Sequence, residues 1–484
     1  MRVRVNPVLI LLILLSVLLG SSLLTRGHQW GDDWAGYVLQ AKSLLNGTTQ
    51  EFMRASEFTN TQSTTHVGPL AYPWGYPLIL APMYALKGMH PLTLKLPGLF
   101  LFAGFLICFF LWTKPRLRQT ESLLLVSFLA FNPILLQFLD QILSDIPFLF
   151  FSTLTLLLMT QEGKRSALQS ILIGASVFMT TFLRATGVFL LGAFLMVEFL
   201  KLLAKRNDRR QVMEIIVNSF VSCFAFAVLW GASLMLLPSG GESYLSQYST
   251  LTLDIVRMNI NLYFNIFRDF FGSAPAWKYV YYILVIFFLV GAWTRRKHEP
   301  VFIAFFVIWM VVHITYPYWQ GPRYMFPLVP IFVYFTFQGM KAMLAKVPTQ
   351  NQWMGNAGMY SFWLLTAGTL LYTSGMSAYL NLQSGRAING PFDPYSREVY
   401  QFIQEETPPD SVVVFFKPRV MVLMTGHNTI MSTECERMRL GNYLVLSRKV
   451  GENQQIPPEK IDACKLPLVT ELKNNRFVVY AIQK

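Results

Sequence analysis

Long stretches of this chain pass without a single charge. Residues 8–24, 96–112, 215–237 and 300–316 contain no Asp, Glu, Lys or Arg. A helix needs roughly 18–20 apolar residues to cross the hydrocarbon core of a bilayer, because lipid offers no partner for a bare backbone N–H or carbonyl. Runs of this kind recur along most of the 484 residues. They exclude a water-soluble globular fold and predict a polytopic α-helical membrane protein. The composition agrees: 14% of residues are charged, against about 25% in soluble domains.

The net charge of +14 does not point to nucleic acid. The basic residues gather in short clusters between apolar runs, as the positive-inside rule requires. These are Arg2 and Arg4, KPRLR at 114–118, GKR at 163–165, AKRNDRR at 204–210, TRRKH at 294–298, and Lys341 and Lys346. Setting all of them on the cytoplasmic side gives eleven helices, near 8–24, 96–112, 120–136, 146–160, two within 167–203, 214–237, 278–293, 300–316, 324–340 and 358–379. The N-terminus is then inside, and residues 381–484 are outside. The basic start followed by an apolar stretch resembles a signal peptide, but the stretch is long and no small-x-small cleavage site follows, so it reads as an uncleaved first helix. WGYPLILAPMYAL, at 74–86, is too short to span and reads as re-entrant or interfacial.

After residue 380 the pattern changes. A short amphipathic helix, a Pro-Pro turn, and the runs VVVFF and RFVVYAI predict a small α/β domain. Cys108 and Cys223 lie in apolar runs. Cys435 and Cys464 lie in the tail, where a disulfide and two free thiols are both open readings.

This topology sorts the polar residues by side. The outer face receives Asp32 and Asp33 after the first helix, then His66, Tyr72 and Tyr76 in an outer loop of about 25–95. It also receives Asp140 and Asp145 between the third and fourth helices, Arg184 between two apolar halves, and Arg323 with Tyr324 at the start of the tenth helix. A charge inside a membrane segment costs roughly 2.5–3.5 kcal/mol on insertion scales, so such residues are paired or functional. Each also has a plainer role: Asp32 and Asp145 as helix caps, Asp33 as a first-turn acid, Arg184 snorkelling, Arg323 as an interfacial anchor, and His66 as a loop histidine. Arginines and carboxylates on one face suit an anionic ligand whose body lies in the bilayer.

GDDWAGYVLQAKSLLNG, YPWGYPLILAPMYAL, LSDIPFLF, FLRATGVFLL and GPRYMFPLVPIF, in this order, resemble the GT-C membrane glycosyltransferases. The likeness is to the bacterial form of the branch holding the dolichyl-phosphate-mannose protein mannosyltransferases and aminoarabinose transferases, and covers roughly residues 1–340. The tail is similar to their C-terminal domain. The resemblance implies a GT-C domain over 1–380 and a soluble extracytoplasmic domain over 381–484. It implies inverting transfer, on the outer face, from a polyprenyl-phosphate-linked sugar to an acceptor on protein, lipid or glycan. The family's D-x-x-x-Y acid falls on Asp33, with Tyr37 after it. Many relatives have Asp-Glu where this chain has Asp32-Asp33. The RY-x-x-P pattern falls on Arg323, Tyr324 and Pro327, and S-E/D-x-P on Ser144, Asp145 and Pro147. The lysine that aminoarabinose transferases carry in the first loop has no match.

In this reading Asp33 is the base, Asp32 beside it caps the helix, and Arg323, Arg184 and Tyr324 hold the donor phosphate. Tyr37, Asp145, His66 and Tyr76 orient substrate. The residues indicate no cofactor; a divalent metal is used by oligosaccharyltransferase relatives, and no DxD is present. An envelope polysaccharide polymerase or ligase is the rival enzyme, though it has no reason for an acid before the amphipathic helix at 33–46. A transporter would predict inverted repeats, and none stands out.

Overall fold

The structure is a computed structural model that describes residues 6–65, 67–161, 164–240, 248–319, 321–450 and 453–483. The first helix, α1 (Pro7–Leu23), starts at an Asn6 side chain that accepts the Val8 N–H. Three shorter helices follow: α2 (Asp33–Asn46), α3 (Thr49–Gln62) and α4 (Gly75–Lys87). The bundle continues through α5 (Pro91–Thr113), α6 (Gln119–Ala130), α7 (Pro133–Gln137), α8 (Asp145–Met159), α9 (Ala167–Leu183), α10 (Val188–Ala204) and α11 (Arg209–Leu236). It closes with α12 (Leu253–Asp269), α13 (Trp277–Arg295), α14 (Pro300–Thr315), α15 (Val329–Leu344) and the 35-residue α16 (Thr349–Gln383).

Each span expected from the sequence overlaps one of these helices, and the one expected at 120–136 is divided between α6 and α7. By length and composition, α5, α11, α13 and residues 185–204 can cross a membrane, and α6 with the segment through Asp140, bent by 49°, makes a fifth if the pair is one broken span rather than a re-entrant loop. The bend falls at Asn132-Pro133, where proline supplies no N–H to continue the helix. The helices α1, α8, α9 and α14 are apolar but run only 15–17 residues, so length and composition mark four or five crossings among the described residues where eleven were expected. Apolar side chains such as Phe220 and Met235 on α11, and Leu364 and Leu365 on α16, face outward. The protein is a multi-pass membrane protein.

Basic residues of four of the basic clusters, Arg116, Arg165, Arg295 and Lys341, pair with buried carboxylates at one end of the bundle. Glu299 accepts from Arg116 at 2.9 Å, Arg295 at 2.8 Å and the Tyr334 hydroxyl at 2.7 Å. Glu121 accepts from Lys341 at 2.8 Å, and Glu198 from Arg165 at 2.9 Å. Each of these buried carboxylates is paired with at least one cationic side chain, as burial demands.

Two further elements, outside the first loop, depart from expectation. The stretch from Pro322 to Leu328 is a 3-10 turn rather than the start of α15, because Gly321 has φ +72° and both Pro322 and Pro327 lack an N–H. Residues 238–277, expected as a connection, contain the amphipathic α12.

The C-terminal part carries α17 (Pro394–Glu406), α18 (Pro418–Thr425) and α19 (Cys435–Met438) around a five-stranded sheet. Its strands are β1 (Val413–Val414), β2 (Thr429–Ile430), β3 (Tyr443–Ser447), β4 (Leu468–Lys473) and β5 (Phe477–Ile482), in the order β2-β1-β3-β5-β4. The first three are parallel; β5 runs antiparallel to β3 and β4. Cys435 and Cys464 form a disulfide. Trp30, in the loop after α1, packs on Phe415, Phe416 and Phe477, so this domain and the bundle share one apolar core.

Candidate active site

The loop after α1 is anchored before it reaches the site. Lys95, buried on α5, bonds the Thr25 and Gly27 carbonyls and Asp140. Asp140 in turn accepts from the Thr25 N–H and hydroxyl. Asp140 is therefore a structural clasp on the chain leaving α1. His28 Nε2 accepts from the Ile142 N–H at 3.0 Å, while Nδ1 donates to the Gln29 carbonyl. Burial pushes its imidazole down to about 3, so it stays neutral. Its ring stacks on Trp34 and fixes the start of α2.

At that start the two acids diverge. Asp32 stands at the N-cap position of α2, yet its side chain makes no capping bond there. This corrects the expectation of a cap: its backbone is already helical (φ −95°, ψ −26°), and the carboxyl faces Lys417, Arg419 and the Val420 N–H at the α18 N-terminus. Burial pushes that carboxyl up to about 6, against the pull of Arg419, Lys417 and the Val420 N–H. Asp33, in the first turn of α2, is half-buried and held from two sides. Arg323 donates to Oδ2 at 3.3 and 3.4 Å, and the Tyr72 hydroxyl to Oδ1 at 2.8 Å. Burial pushes the Asp33 carboxyl up, but Arg323, Tyr72 and Arg419 together hold it below the ordinary carboxylate range.

Asp33 and Arg323 stand between two cavities, each of about 440 Å³. The first is largely apolar and lies among the ends of α8, α9, α10 and α14, with Leu183, Phe189, Val312 and Tyr316 in its wall. Arg184, Tyr324, Asp145 and Tyr37 also line it. Arg184 pairs with Asp145 and lies over the Tyr324 ring, 4.6 Å from its centroid. Tyr37 bonds Ser144 at 3.0 Å. The second cavity is more polar and lies between the first loop and the C-terminal domain, lined by Trp30, Asp32, Gln141, Phe416, Lys417 and Gln454 among others.

Of the sequence candidates, Asp33, Tyr37, Asp145, Arg184, Arg323 and Tyr324 thus converge on one chamber, and Asp32 borders the other. Tyr76 does not join them: it is buried, lines neither cavity, and packs its ring edge-on against Tyr37. His66 lies outside the described residues. Two contacts were not anticipated, Tyr72 as a ligand of Asp33 and Arg419 behind it. Among the described residues, no three His, Cys, Asp or Glu side chains gather in a metal-binding group.

No protein-family model and no curated protein sequence matches this chain. Solved structures do. ArnT from Cupriavidus metallidurans, bound to undecaprenyl phosphate, superposes with a TM-score of 0.63 at 12% identity, over 98% of this chain and 97% of that one. The chain has the GT-C fold. The archaeal oligosaccharyltransferase AglB from Archaeoglobus fulgidus, in complex with an inhibitory peptide and a dolichol-phosphate, gives 0.55 at 10% identity, over 91% of this chain and 69% of that one. At these identities the likeness is one of fold, and it extends over both the bundle and the tail.

Proposed function

We propose that this GT-C protein is a glycosyltransferase that moves a sugar from a polyprenyl-phosphate donor to an acceptor hydroxyl on the outer face of a bacterial inner membrane. The observation that carries this reading is the placing of Asp33 and Arg323 at the meeting point of an apolar and a polar cavity. The apolar chamber suits a lipid phosphate: Arg323 and Arg184 supply always-charged planar forks, and the walls suit the prenyl chain. The ArnT structure holds undecaprenyl phosphate and the AglB structure a dolichol-phosphate, which supports this class of donor. The polar cavity is left for the acceptor, whether protein, lipid or glycan.

The acceptor oxygen attacks the sugar C1, the C1–O bond to phosphate breaks, and Asp33 takes the hydroxyl proton. Phosphate leaves as a stable anion, so charge stabilisation at Arg323 matters more than a general acid. A strongly held carboxylate is a weak base. The Asp33–Arg323 contact is long, however, and an arriving phosphate competes for the same guanidinium. Donor binding then loosens Asp33 and raises its basicity where the proton must go.

In a transfer assay on the purified full chain, Asp33→Asn is expected to abolish turnover while the protein stays folded. Arg323→Ala is expected to weaken undecaprenyl phosphate binding. Normal turnover by Asp33→Asn would sink the assignment of the base.

A further inference from the structure

Arg419 belongs to the C-terminal domain, yet its guanidinium lies just behind the candidate base. It sits in the first turn of α18 and is 6% exposed. Nη1 donates to the Tyr72 hydroxyl at 2.8 Å, and Nη2 to the Pro69 carbonyl. The Tyr72 hydroxyl reaches Asp33 Oδ1 at 2.8 Å. An arginine can only donate, and a phenol has one proton. With Arg419 filling a lone pair of Tyr72, the phenol proton has one place to point, the Asp33 carboxylate. Each donor in such a series polarises the next.

The local chain is built around this arrangement. Gln40 bonds both the N–H and the carbonyl of Tyr72 at 2.9 Å. Gly68 has φ +127°, and a Cβ there would lie 3.0 Å from Arg419 Nη1. A Cβ on Gly36 would lie 2.8 Å from the Tyr72 ring.

We propose that Tyr72 and Arg419 are positioning residues that hold the Asp33 carboxylate aimed and charged, so that the C-terminal domain completes the active site instead of merely covering it. The proposal rests on Asp33 as base. The groups facing Asp33 are Arg323 from the stretch before α15, Tyr72 from the first loop, Arg419 from α18, and Asp32 and Tyr37 from its own segment. Of these, Tyr72 and Arg419 form the only series, among the described residues, that ties the base to the C-terminal domain.

The test uses dicyclohexylcarbodiimide, which reacts with protonated carboxyls in apolar surroundings, on the detergent-purified full chain. Labelling of Asp33 and Asp32 is followed by peptide mass spectrometry across the acid range. Tyr72→Phe removes one oxygen and keeps the ring packing. It should raise the midpoint pH of Asp33 labelling by about one pH unit, the size of one lost hydrogen bond, and leave Asp32 unchanged. Arg419→Leu should raise both, because Arg419 faces both acids. An unchanged Asp33 midpoint in Tyr72→Phe overturns the proposal, even where Arg419→Leu fails to fold. Full transfer by Asp33→Asn would remove the base without touching this labelling result, so the two failures are distinguishable.

Discussion

Between Asp32 and Asp33 the chain turns from loop into α2, and the two carboxyls leave in different directions. Asp32 keeps one buried oxygen without a partner. Its carboxyl, pushed up to about 6 chiefly by burial, still holds its proton in the folded protein where the unfolded chain, with a value of about 3.9, has released it. Rising pH therefore favours unfolding between about pH 4 and pH 6, and above that the cost is full, at most about 3 kcal/mol. Asp32→Asn should raise the melting temperature at neutral pH and change it little near pH 4. Thermal unfolding at the two pH values checks this, and a lower neutral melting point would contradict it. Asp33, Asp145, Arg184 and Arg323 could be picked from the sequence because a charge beside an apolar run stands out. Arg419 could not. It lies in a polar tail where an arginine is ordinary, and its partner Tyr72 is 347 residues away. Nor could the direction of Asp32, which depends on where α18 docks.

Helix positions were legible wherever apolar runs were long, because the bilayer imposes a length. Amphipathic elements were not. In α12, the charged Asp254, Arg257 and Arg268 share the helix with Tyr263, Ile266 and Phe267, which are buried against the bundle. A scan for uncharged runs passes over such a helix, although its 3.6-residue period marks it. The same holds for α3, read only as loop. Small residues at crossings were also silent. At the crossing of α13 and α15, a Cβ on Gly291 would collide with the Phe335 carbonyl, and one on Gly339 with the Phe287 carbonyl. The backbones touch, as close-packed membrane helices allow only with small residues. Neither helix can yield without losing its neighbours, so Gly339→Leu should destabilise the fold by about 3 kcal/mol or more. Size-exclusion profiles and melting of the detergent-purified variant measure it; a wild-type melting point would mean that the two helices can separate at no cost.

At the scale of the molecule, one end of the bundle collects Arg116, Arg165, Arg295 and Lys341 with Glu121, Glu198 and Glu299, and the other collects Asp33, Arg323, Arg184 and the C-terminal domain. This separation follows from the sequence alone if each apolar run crosses once, and the pairing of Arg116, Arg165, Arg295 and Lys341 at a common end is independent support for it. What the sequence did not reveal is that the tail shares its core with the bundle. Trp30 and Phe416 meet only after both segments fold. The disulfide between Cys435 and Cys464 is the kind that persists in an oxidising compartment. If the chain crosses eleven times with its basic end in the cytoplasm, the tail and the candidate site both lie outside. Alkaline phosphatase, which folds only when exported, should then be active when fused after residue 383 and inactive when fused within the basic stretch at 204–210. Activity at the basic stretch and silence at the tail would invert the molecule. It would also place the Asp33 chamber on the cytoplasmic face and end the assignment of an outer-face transfer.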